Sequence, residues 1–416
     1  MINILKLISS DKEQVERFAP YCNKAEKSFS DEPVFFMEND FIMECGEFAG
    51  LDENVIKRLI ELSLRMKNDL CLRRLVWLCY FLFCKSPDYL DDNFKKWPDF
   101  FVGMGKEDSA LLFLLVAVAG IRLTQKKHAE SNIPTITTRS TVSDVKVHLD
   151  TYFQISNHIG ISPKSLGWFR NWMRGELYCL GRFQYMIKPF GGSLEVYKNK
   201  LSGKIVALAA DGREFNEDGY CPVKEKFNES VAWTSKLITD NDFIRGNAIS
   251  PYGYALKGET VLDKKIWECI VDQTTMFMDV HIPAGGGMSL ETCRESMCAA
   301  AAFFEQYYPK TPLLGFQCFS WILNPEFGEM LDSKSNLVKF ERELYLFPIE
   351  SGGFTGVDRV FGSSGIDLAT APRKTSLQKA MLGWLEAKRP LRGGGMLFMK
   401  DDLHKFGTSF YQRNFK

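Results

Sequence analysis

Asp279 and His281 stand two apart at the end of a β-branched and apolar run, so on a strand they share one face. An imidazole oriented by a carboxylate is a general base able to take a proton from an amine near neutral pH. A hydrogen-bonded structural histidine is the other use of such a pair. Just beyond, Gly285, Gly286 and Gly287 stand in a row before Met288 and Ser289. Bare glycines ahead of a helix let main-chain N–H groups approach an anion, and the helix dipole favours negative charge there, so a phosphate site is expected. Glu291 in the first helical turn opposes it, and a tight turn without ligand is the alternative. Further on, Cys318 and Ser320 share a strand face. Ser320 could return a proton to a leaving group and Cys318 could act as a nucleophile, though an interior cysteine is ordinarily inert packing.

These residues need a frame. Thr274 to Val280 reads as a strand, with Met276, Met278, Val280 and Ile282 pointing away from Asp279 and His281. Pro283 stops the ladder, and Ser289 is a good N-cap for the helix that follows. Leu290, Cys293, Met297, Ala300, Ala301, Phe304 and Tyr308 form its buried stripe. Leu314 to Leu323 is a second buried strand, with Phe316, Cys318, Ser320 and Ile322 on one face and Gln317, Phe319 and Trp321 on the other. A short helix through Phe327 and Met330 follows. Ser335 then caps another, expected to run through Val338, Phe340, Leu344 and Phe347. Strand, glycine turn, helix and strand make a βαβ unit with a right-handed crossover. It is not a Walker loop, since Gly286-Gly287-Met288 stands where Gly-Lys-Ser/Thr is needed, and Leu290 occupies the place of the third glycine of a dinucleotide fingerprint.

The rest of the chain divides in character. From Asp11 to about Ser165 it reads as helices: Asp11 to Lys27, one capped by Asp52, Leu70 to Cys84, Glu107 to Lys127 and Ser140 to Tyr152. Trp77, Tyr80, Phe81 and Phe83, like His128, His148 and His158, are read as core. Ser162 to Gly175 is a capped amphipathic helix. Then Leu177 to Met186, Leu194 to Tyr197 and Ile205 to Ala210 give an antiparallel meander, with Arg182 inside a strand. Glu229 to Leu237 and Asp263 to Cys269 are read as short helices, Val357 to Phe361 as a strand, Thr375 to Ala387 as a helix and Met396 to Met399 as a strand. The second Gly-Gly-Gly, after Arg392, is placed in a turn. The expected fold is α+β and multidomain: an all-α domain over 1–165, then a mixed α/β domain over 166–416, itself divisible at 270.

With 416 residues, 45% hydrophobic, the chain can bury more than one core. Its 52 basic and 52 acidic residues leave no net field to attract a polyanion, which argues against nucleic acid. The eleven cysteines are odd in number and follow no signal pattern, so reduced thiols and a cytoplasmic setting are expected. The five histidines are scattered and no CxxC or HExxH occurs, so no metal is expected. The apolar run from Ala110 to Ile121 is too short to cross a bilayer.

HIPAGGGMSLETCRESMCAAAAFFEQYYP, then FQCFSWILNPEFGEML and SNLVKFERELYLFP, resembles the signature of bacterial acyltransferase-like proteins that join a helical N-acyltransferase N-terminal domain to a GNAT-like C-terminal domain. LYCLGRFQYM, at 177 to 186, is similar to the first strand of that C-terminal domain. The resemblance implies that main-chain N–H groups of Gly285, Gly286, Gly287, Met288 and Ser289 hold the pyrophosphate of acetyl-CoA or another acyl-CoA. It also implies that the pantetheine lies in a splay between the strands flanking the helix, and that a small-molecule amine is acylated. The superfamily pattern has Gln or Arg where Ile282 stands, so the side-chain part of the cradle is altered. His281, Asp279 and Ser320 are the candidate catalytic residues. A catalytically inactive CoA-binding module is the alternative. An enzyme with another ligand in the same cleft, such as a carbohydrate hydrolase, would need a partner carboxylate that Asp279 has at no fixed spacing.

Overall fold

The computed structural model describes residues 2–30, 34–363 and 365–415. It divides into two compact units, one of residues 1–180 with 283–285, the other of 181–282 with 286–416.

The first unit contains α1 (Ile2–Ile8), α2 (Lys12–Lys27), α3 (Asn39–Phe48), α4 (Glu53–Lys67), α5 (Leu70–Tyr80), α6 (Gly105–Glu130), α7 (Thr135–Val142), α8 (Asp144–Ser156), α9 (Lys164–Met173) and a short strand β1 (Leu177–Leu180). Helix α6 is its axis, because every residue from Ser109 to Ile121 is buried. Helix α5 starts where the Asp69 carboxylate accepts from the Cys71 and Leu72 N–H groups at 2.8 and 3.1 Å, and it ends in a π turn, Phe81–Lys85. Tyr80 and Phe83 are core, against Phe36 at 4.6 Å and Phe94 at 6.2 Å between ring centres. No described helix is long and apolar enough to cross a membrane.

Two helical expectations are corrected. Ser140 to Tyr152 is not one helix but the end of α7 and most of α8, broken at Ser143. Thr138, Thr141 and Ser143 turn their hydroxyls back onto the carbonyls of Pro134, Thr137 and Arg139, which competes with the helical ladder. Asp52 precedes α4 as expected but makes no side-chain cap; its carboxylate takes Lys146 Nζ at 2.9 Å.

The second unit opens with nine strands: β2 (Phe183–Pro189), β3 (Leu194–Asn199), β4 (Ile205–Ala209), β5 (Glu214–Phe215), β6 (Trp233–Thr234), β7 (Leu237–Thr239), β8 (Phe243–Ser250), β9 (Tyr254–Asp263) and β10 (Trp267–Val271). Then come β11 (Met276–His281), α10 (Leu290–Tyr307), β12 (Leu313–Ser320), α11 (Phe327–Met330), α12 (Asn336–Glu343), β13 (Tyr345–Pro348), α13 (Val357–Phe361), α14 (Ser376–Glu386), β14 (Gly394–Met399) and α15 (Phe410–Arg413). One sheet runs β2-β11-β12-β14-β13, and only its β11–β12 ladder is parallel. The other, wholly antiparallel, runs β10-β3-β4-β8-β7 with β9 on β8. Tyr345 ties them together, accepting from Ala207 N at 3.2 Å and donating to the Ile249 carbonyl at 2.6 Å. The α+β architecture expected from the sequence is the one the chain adopts.

Within it, several local readings are corrected. The helices expected at Glu229 to Leu237 and Asp263 to Cys269 are absent; these stretches feed β6, β7, β9 and β10, because a short apolar run suits either period until a neighbouring strand pairs with it. Val357–Phe361 is a helix, bounded by Gly356 at φ +86° and Gly362 at φ +76°. Helix α12 stops at Glu343, and Phe347 lies in β13 paired with Gly395. Met186 and Leu177 belong to different strands, parted by Gly181-Arg182. The strand expected to reach Leu323 ends at Ser320 and gives way to a 3-10 turn. The second glycine run is no turn: Gly394 and Gly395 lie inside β14, where a Cβ would strike the Leu323 carbonyl and the Phe347 ring.

Candidate active site

The site is built where the parallel ladder stops. Strands β11 and β12 pair from Met276/Leu313 to Asp279/Gln317, and their register goes no further among the described residues. Val280 and His281 stay paired to β2, while Cys318, Phe319 and Ser320 stay paired to β14. The two strands therefore part beyond Asp279 and Gln317, each held by its outer neighbour. Gln317 is buried at the fork, its amide accepting from Gly191 N and donating to the Pro189 carbonyl, both at 3.0 Å.

At the end of β11 the chain turns through Gly285, Gly286 and Gly287 at φ +77°, +71° and +64°. Three successive left-handed residues are strained for any side chain, which is why glycine is required here. Crowding does not require it at Gly287, where an added Cβ would meet nothing within 4 Å. Met288 is buried and anchors the turn, and the Ser289 hydroxyl accepts from Thr292 N at 3.2 Å to start α10. The unpaired N–H groups at the start of an 18-residue helix carry partial positive charge, suited to an anion. Ile282 lies just before it, half-buried, and contributes no polar side chain.

Asp279 and His281 come together as their spacing predicts, Oδ2 to Nε2 at 3.1 Å, with His281 31% exposed and Asp279 15%. Ser320 does not join them. Asp279 pairs with Gln317 and shares its face; Ser320, three residues on from Gln317, points to the opposite side of the sheet. Its hydroxyl accepts from Ile322 N at 3.3 Å, capping the 3-10 turn. Cys318 is also on that far side, and burial first, then the Asp279 charge, pushes its thiol far up, so it is a neutral packing group rather than a nucleophile.

One side chain near the turn lies elsewhere than its sequence suggests. Arg182, expected within a strand, is in the turn before β2, and its Nε donates to the Gly287 carbonyl at 2.5 Å. The available signal was the Gly-Arg pair between two apolar runs, a turn pattern. Arg182 and Gly286 border a groove of about 550 Å³ along the first turns of α10. Among the described residues no cluster of His, Cys, Asp or Glu could hold a metal ion.

A family model described as the GNAT-like C-terminal domain matches residues 177–397, over half the chain. The chain belongs to this GNAT-like family. A second model, the N-acyltransferase N-terminal domain, matches residues 40–175, so the GNAT-like half follows the helical domain that the resemblance implied. No curated protein sequence matches the chain. Among solved structures, the GNAT-like protein is similar to an acyltransferase mutant in complex with octanoyl-CoA, with TM-score 0.57 and 16% identity over 86% of this chain and 87% of that one. It is also similar to an acyltransferase in complex with decanoyl-CoA and teicoplanin, with TM-score 0.53 and 16% identity over 86% of this chain and 99% of the other. A further complex of an acyltransferase with CoA and 10C-teicoplanin matches with the same figures. At such identity the likeness is one of fold.

Proposed function

We propose that this GNAT-like protein is a CoA-dependent N-acyltransferase, carrying an acyl group from acyl-CoA to the amine of a small molecule. The observation that carries the reading is the fork between β11 and β12, with a left-handed glycine turn and a helix N-terminus at its mouth. Phosphates of CoA would lie on the N–H groups of Gly285, Gly286, Gly287, Met288 and Ser289, and the pantetheine arm would enter the fork. The shared fold with acyltransferases solved with octanoyl-CoA and decanoyl-CoA supports an acyl-CoA donor, and the teicoplanin complex supports a small-molecule acceptor. Free cysteines throughout the described residues support a cytoplasmic setting.

In this mechanism His281, oriented by Asp279, takes the proton of the attacking amine. The nitrogen adds to the thioester carbonyl, the C–S bond breaks, and the thiolate leaves as free thiol with a proton from solvent or from His281. Ser320 is left out of the proton path, because its hydroxyl faces the other side of the sheet. A catalytically silent CoA-binding module is the second reading; Ile282 in place of a polar side chain favours it.

The test is thermal unfolding with CoA, acetyl-CoA and longer acyl-CoAs, followed by release of free thiol in the presence of amines. A ligand at about 100 times its Kd adds roughly 2.7 kcal/mol of stability. Stabilisation with thiol release supports the enzyme, stabilisation without release under any amine supports the silent module, and no stabilisation by any CoA removes both.

A further inference from the structure

We propose that Arg182 is the side chain that grips the phosphates of the ligand on the glycine turn, supplying from the turn before β2 the cationic contact that Ile282 cannot supply. The inference rests on the reading of this turn as a CoA site. Gly181, at φ +71°, precedes Arg182, whose side chain lies beside the glycine turn. The Arg182 Nε bond to the Gly287 carbonyl docks the guanidinium on it, and a Cβ built on Gly286 would lie 3.3 Å from the same nitrogen. The Phe183 ring centre lies 5.7 Å from the guanidinium carbon. A guanidinium is a rigid planar fork of donors, so the bond to the loop fixes the plane of the charge beside the turn.

Charge makes this group necessary. Glu291 lies in the first turn of α10 and Glu295 lines the groove, and both repel a polyanion. The partial charge of a helix end, about half an elementary charge, does not offset two carboxylates. Among the described residues lining the groove, Arg182 is the one cation. Its field reaches into α10, opposing the burial that pushes the Cys293 thiol up to about 12.

The experiment is calorimetric titration of the full chain with CoA at about 0.05 M and about 0.5 M salt, as wild type, Arg182→Met and Arg182→Lys. We expect Arg182→Met to weaken CoA about tenfold or more at low salt, the loss to shrink at high salt, and Arg182→Lys to recover part of it. Melting of each variant without ligand checks folding. Should Arg182→Met unfold, Arg182→Lys alone must still weaken CoA in a salt-dependent way. Wild-type binding that survives unchanged in the variants overturns the inference and leaves the CoA reading standing. A loss identical at both salt levels also overturns it, since Arg182 would then only brace the loop. Wild type binding no CoA at all removes the CoA reading and this inference together.

Discussion

Two histidines show how differently one residue type is used. His281 is half-exposed beside Asp279 at the fork, and His281→Ala is expected to lower turnover by about 10²- to 10⁴-fold while leaving the CoA-induced melting shift intact, as a general base outside the phosphate site should. A matching loss of CoA binding would argue instead for a structural histidine. His128 is buried in the helical unit, its Nδ1 3.1 Å from the Thr138 hydroxyl and its ring 5.1 Å from that of Tyr178. Burial pushes its pKa down to about 4. Unfolded, the imidazole titrates near 6.5, so as pH falls from about 6.5 to about 4 the unfolded chain binds the proton and the folded one does not. Stability is therefore full above that window and falls across it by up to about 3 kcal/mol. Denaturant melts should show this slope, flattened in His128→Gln. At this scale period two revealed that Asp279 and His281 share a face. It could not reveal that Ser320 faces away, because that depends on which residue of β12 pairs with Asp279.

Elements are held by contacts that local propensity does not contain. Gly286→Val forces a β-branched side chain into φ +71° against Arg182, and loss of CoA stabilisation is expected along with roughly 1–2 kcal/mol of strain, read by melting with and without ligand. The start of β14 is tied down by Arg392, buried at 5% exposure: Nε donates to Glu326 at 3.2 Å, and Nη1 to Glu229 at 2.8 Å and to the Cys221 carbonyl at 3.1 Å. Arg392→Met should cost about 3 kcal/mol in a denaturant titration, because it leaves Glu229 without a cation and Glu326 with Arg389 alone, 3.2 Å away. The helix α10 and its cap at Ser289 were legible because stripe, cap and glycine turn agree. The stretches at 229–237 and 263–269 were not, because their residues become strands only by pairing with β5, β8 and β3.

For the whole molecule, equal numbers of acidic and basic residues, 52 of each, leave almost no net charge at pH 7. Self-association at low ionic strength should be greatest near neutral pH and weaken at higher pH or with added salt, as light scattering would show. Composition, the change from helical to alternating periodicity, and the motif from His281 to Pro309 were enough to determine a helical half joined to a GNAT-like half, since each is a property of neighbours along the chain. Only the tertiary structure decided that β11 and β12 part beyond Asp279, that Ser320 is turned from His281, and that Arg182 lies on the glycine turn. Those are matters of register and of contact between residues 105 apart in the case of Arg182 and Gly287, and no periodicity within one segment encodes them.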